Sequence, residues 1–96
     1  MAMMLVSYDA HTPGHSYDHL LDALEGFGAY WHCLDSTWLV ETRMSITQVR
    51  DSLWLHMHPD DELLVVDVTG APASWVGFTR ECGDWLRDNL DRPGQT

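Results

Sequence analysis

Residues 62–68 read ELLVVDV, Glu62 to Val68, the most strand-like segment in the chain. Leu63 and Val65 alternate with Leu64, Val66 and Val68, so both faces are apolar. A strand of this kind needs cover on two sides. His58-Pro59-Asp60-Asp61 forms a turn before it, and Gly70 and Pro72 end it. Its place in the fold depends on what precedes it.

Met3 to Tyr8 is a short apolar run that stops at Asp9, because Thr12-Pro13-Gly14 punctuates the chain. Ser16 can cap a helix in which Tyr17, Leu20, Leu21 and Leu24 recur at helical spacing, and Gly26 and Gly28 break it. Ala29–Leu34 and Thr37–Thr42 are rich in aromatic and branched residues and flank Asp35-Ser36, the pattern of a hairpin. Ser45 and Gln48 form a capping box for a second helix, with Ile46, Val49 and Leu53 on one stripe and an end near His56. Glu62–Val68 is then the fourth strand, and the order is βαββαβ. Such an order predicts an α+β, ferredoxin-like sheet with two helices on one face. Between Trp75 and Leu90, Phe78, Cys82, Trp85 and Leu86 share a helical face, which predicts an additional C-terminal helix, or a short strand and a helix. Either that helix or a second copy of the chain must cover the other sheet face. Residues 92–96 read as a frayed tail of one domain spanning 1–96.

Composition narrows the partners. The chain has 96 residues, 45% hydrophobic, enough for one small domain that gains from association. Fifteen acids stand against five arginines and no lysine, a net charge of -10. Nucleic-acid binders carry a basic stripe, and Arg43, Arg50, Arg80, Arg87 and Arg92 are dispersed, so charge disfavours nucleic acid as a partner. No run approaches the roughly 18 apolar residues of a membrane helix, and no basic segment leads into a signal-peptide core, so a soluble, cytoplasmic protein without a membrane partner is expected. Cys33 and Cys82 sit among apolar neighbours and read as free, small hydrophobes outside any site.

YDAHTPGHSYDHL (Tyr8 to Leu20), LDSTWLVET (Leu34 to Thr42) and the Val68-Thr69-Gly70 that follows strand four resemble small bacterial Cas2-like proteins of the SinR family. The resemblance covers most of the chain up to about Gly70. It implies a ferredoxin-like homodimer of the Cas2 family, CRISPR-associated proteins that act as Mg²⁺-dependent nucleases or as scaffolds. It also implies a metal-binding acid at the end of strand one, matched here by Asp9. The acidity, the histidines and the tryptophan-rich C-terminus are this chain's own.

A metal-dependent phosphodiesterase holds Mg²⁺ with carboxylates so that a bound water becomes nucleophilic. Asp9 alone is too few ligands, and a dimer joining two Asp9 side chains would supply two. The structural alternative is that Asp9 caps its loop by accepting amides from Ala10 to Thr12. His11, His15 and His19 raise a zinc reading, although His15 precedes the helix and the spacing is imperfect. Ser36 could contact a phosphate, with His32 as general base if it faces the same side; a serine in a tight turn is also ordinary. His56, His58, Asp60 and Asp61 read as helix end and turn. The five tryptophans suit core and interface packing more than base stacking. Glycine-rich phosphate loops, a nucleophile elbow and CxxC are missing from the sequence.

Three functions follow as expectations. The first is a homodimeric binding or assembly protein, with a protein partner and a setting in bacterial defence or mobile elements, without catalysis. The second is a Mg²⁺-dependent nuclease or phosphodiesterase using paired Asp9. The third is an acidic protein that occupies a partner's nucleic-acid-binding surface.

Overall fold

The computed structural model describes residues 1–90; the expected frayed tail, 92–96, lies outside the described residues. The chain is α+β, with a four-stranded antiparallel sheet and three helices. In chain order these are β1 (Ala2–Asp9), α1 (Asp18–Glu25), β2 (Tyr30–Leu34), β3 (Thr37–Thr42), α2 (Ile46–Trp54), β4 (Glu62–Asp67) and α3 (Arg80–Asn89). The strand order is β2-β3-β1-β4, which leaves β2 and β4 as edges. Central β1 runs antiparallel to both neighbours, with Val6 opposite Trp38 on β3 and Val65 on β4.

Period-two alternation divides the strands between two cores. On the inner face Met4, Val6, Trp38 and Val40 meet Leu20 and Leu24 of α1 and Val49 and Leu53 of α2. Trp38 is fully buried because its Nε1–H donates to the Tyr8 hydroxyl at 3.2 Å, which removes the cost of hiding an indole N–H. The capping box forms as expected, the Gln48 amide donating to Ser45 Oγ at 3.1 Å and the Ser45 amide to Gln48 Oε1 at 2.9 Å. Helix α1 differs from its sequence reading. Tyr17 stands at its N-cap without a side-chain cap, and Ser16 Oγ only accepts a long 3.4 Å bond from the Asp18 amide.

On the outer face Met3, Trp31 and Leu39 pack beneath Leu86 and Leu90, with Trp75 and Phe78 against them. Thr79 caps α3 at the Cys82 amide, so the helix starts at Arg80 and the segment from Ala71 to Phe78 has no regular structure. The C-terminal helix therefore supplies the second cover, over part of the face. Gly83 permits the fit, since a Cβ there would lie 3.1 Å from Trp75 Nε1. The cysteine expectation is overturned: Cys33 on β2 and Cys82 on α3 form a disulfide. Forty-nine residues separate them in sequence, and only the docking of α3 brings their Cα atoms to 6.4 Å. Trp31 Nε1–H adds a bond to the Cys82 carbonyl at 3.1 Å. Among the described residues no helix is long and apolar enough to cross a membrane.

Candidate functional site

The loop after β1 is held by a residue that the sequence reading assigned to a turn. Asp61 is buried just before β4. Its Oδ1 accepts from the His11 amide at 3.2 Å and the Thr12 hydroxyl at 2.8 Å. Its Oδ2 accepts from the Tyr17 hydroxyl at 2.6 Å and the His58 amide at 2.9 Å. Burial alone would raise the Asp61 pKa, but the donors, Tyr17 foremost, outweigh it and hold the carboxyl well below the usual carboxylate range. Loop capping thus belongs to Asp61. Asp9 is exposed, and the amides of His11 and Thr12 that it was expected to cap go to Asp61 and to the Tyr17 hydroxyl.

Freed of that task, Asp9 lies opposite Glu62 across the β1–β4 ladder, and His11 reaches back to them. His11 Nε2 is 3.2 Å from Glu62 Oε1, and that hydrogen bond is the main cause of a raised His11 pKa. One ligand atom from each of Asp9, His11 and Glu62 lies within 4.8 Å of the others. Two carboxylates and an imidazole can share a divalent cation, the oxygens suiting Mg²⁺ or Mn²⁺ and the nitrogen favouring the latter or zinc. All three side chains are exposed, so water would complete any coordination shell. In the sequence Glu62 is legible only as the first residue of a strand. The signal for it is register, because antiparallel neighbours bring the end of β1 to the start of β4.

The other candidates go elsewhere. His15 Nε2 bonds the His56 carbonyl at 3.0 Å, and its ring lies 4.7 Å from Tyr17 and 6.0 Å from His58. It helps join α1 to the end of α2. His19 approaches His56, at 6.1 Å between ring centres. His32 stacks on Trp38 at 3.8 Å and its Nε2 bonds the Asp35 carbonyl at 2.9 Å, which occupies one nitrogen of the proposed base. The Ser36 carbonyl accepts the Tyr8 amide at 3.1 Å, so the hairpin turn abuts β1 through its backbone.

Two apolar features complete the surface. A cavity of about 500 Å³ opens between the outer sheet face and residues 71–78, lined by Leu5, Trp31, Leu39, Trp75 and Phe78 among others. Along the β4 edge, Leu64 and Val66 are exposed on the outer face, at 57% and 39%. On the inner face, α2 presents Ile46 and Trp54, exposed at 45% and 39%. No family model matches this chain, and neither a curated protein nor a solved structure shows significant similarity to it.

Proposed function

We propose that the chain is a Cas2-like, ferredoxin-like homodimer that works as a binding or assembly protein, without catalysis of its own. The observation that carries this reading is the apolar dressing of the free β4 edge, with Leu64, Val66, Ile46 and Trp54 exposed around one unpaired strand. A small domain loses free energy by leaving such groups wet, and an unpaired edge invites association. The position of β3 between β1 and β2, the two strands that α1 connects, supports the ferredoxin-like reading. A role in bacterial defence or mobile elements rests on the resemblance of the Tyr8–Leu20 and Leu34–Thr42 motifs. Sedimentation velocity is the test, with a dimer expected and Leu64→Lys shifting it to monomer. A wild-type monomer at tens of micromolar, on the order of where weak association appears, would overturn the reading.

A second reading, a metal-dependent phosphodiesterase, draws on the convergence of Asp9, His11 and Glu62. It predicts Mg²⁺- or Mn²⁺-dependent cleavage of RNA or DNA that Asp9→Asn and Glu62→Gln both abolish. On the binding reading the wild type cleaves neither substrate, and both variants stay folded.

A further inference from the structure

The backbone of β4 says how a second copy would attach. The Val68 amide donates to the Met3 carbonyl at 2.8 Å, so Val68 faces β1. Antiparallel ladders alternate, which turns the amides and carbonyls of Leu63, Val65 and Asp67 away from β1. No strand lies beyond them among the described residues. On the homodimer reading above, we infer that a second copy pairs its β4 antiparallel to this one, centred on Val65, to form a continuous eight-stranded sheet.

Side chains directly opposite one another in such a pair share a sheet face, which restricts the register. Centred on Val65, Leu64 meets the partner's Val66, and Val66 meets the partner's Leu64. Glu62 faces the partner's Val68, and Asp67 faces the partner's Leu63. No carboxylate stands opposite another, which matters for two chains that each carry a net charge of -10. The patch is therefore its own complement, as a two-fold axis requires. Leu63, Val65 and Asp67 of each chain would contribute about six new backbone hydrogen bonds.

Ile46, Thr47 and Arg50 of α2 flank Leu63, Leu64 and Val65 around a hollow of about 210 Å³. The pairing brings two such flanks together. It buries Ile46 near the axis and places Arg50, held by Asp51 of its own chain at 2.8 Å, beside the seam.

Glu62 lies three residues from the axis, so the two copies of Glu62, each beside its Asp9, stand about 20 Å apart along the strands. Two Asp9 carboxylates cannot converge in this dimer. Each Asp9–His11–Glu62 group stands alone.

Two substitutions at one position test the pairing. Val65→Pro removes an outward amide and leaves the β1 ladder whole, as edge strands tolerate. Val65→Cys places two thiols across the axis at a Cα separation of about 5.5 Å, within disulfide reach. Sedimentation should show wild type as dimer and Val65→Pro as a folded monomer. After air oxidation, Val65→Cys should run mainly as a covalent dimer on a non-reducing gel, with Leu21→Cys on α1 as the uncrosslinked control. A monomeric wild type overturns the homodimer reading and the pairing together. A wild-type dimer that persists in Val65→Pro and does not crosslink through Val65→Cys overturns the pairing alone. If Val65→Pro fails to fold, crosslinking decides: its presence supports the pairing and its absence overturns it.

Discussion

Asp61 organises more of the chain than any other single polar side chain described here, tying the loop after β1, the start of α1 and the entry to β4 to one carboxylate. Its pKa in the folded chain lies below the ordinary 3.8, because the donors favour the charged form. The stabilisation is whole above about pH 4 and is lost as pH falls through the folded value, since the unfolded chain then binds the proton first. Asp61→Asn turns an amide NH₂ toward donors, so it should lower the urea midpoint at pH 7 and flatten the acid limb below pH 4 relative to wild type. Asp9→Asn, at an exposed side chain, should leave the urea midpoint at pH 7 unchanged. The pair of substitutions separates the structural acid from the exposed one, two roles that sequence reading joined in Asp9. Nothing local distinguishes them, because Asp61 looks like a turn residue until β4 is laid beside β1.

At the scale of elements, α2 and α3 are started by the same chemistry and held in different ways. The Ser45–Gln48 box satisfies two backbone groups at the start of α2, and Ser45→Ala should cost about 1 kcal/mol in urea unfolding without changing association. Its signal is local, four consecutive residues, and so it is legible before any fold is known. Helix α1 shows the limit of such signals: Ser16 has the right chemistry, but Tyr17 takes the N-cap because its hydroxyl is drawn to Asp61. Helix α3 depends on contacts far away in sequence, with Leu86 and Leu90 over Met3, Trp31 and Leu39, and Cys82 bonded to Cys33. Cys82→Ser should lower stability by about 2–4 kcal/mol, through the loop it releases in the unfolded chain. Amide exchange should rise first in residues 71–90, while α1, α2 and the buried Trp38 stay protected. Uniform loss of protection would mean that the two layers unfold as one.

For the whole molecule, α1 and α2 cover one face of a sheet that is greasy on both sides and α3 covers part of the other. Helix α3 covers the side nearer β2, and β4 remains the uncovered edge, so the proposed pairing and the disulfide would involve different parts of the sheet. Reduction by a small dithiol should thus loosen α3 without dissociating a β4-paired dimer, a difference that sedimentation in the reduced state measures directly. In a reducing compartment the two thiols would be free and α3 would rely on packing and the Trp31 bond alone. The sequence by itself determined the strands, the hairpin around Asp35-Ser36, the start of α2 and the α+β class, because periodicity, turn chemistry and capping act over a few residues. It also marked Asp9 as a Mg²⁺ candidate and, separately, His11 with His15 and His19 as a zinc candidate. Only the tertiary structure decided that Glu62 joins Asp9 and His11, that Asp61 is the buried acid, that Cys33 meets Cys82, and that α3 covers the outer face. Each of these depends on strand order and register, which bring together residues some fifty positions apart, and no short pattern carries that information.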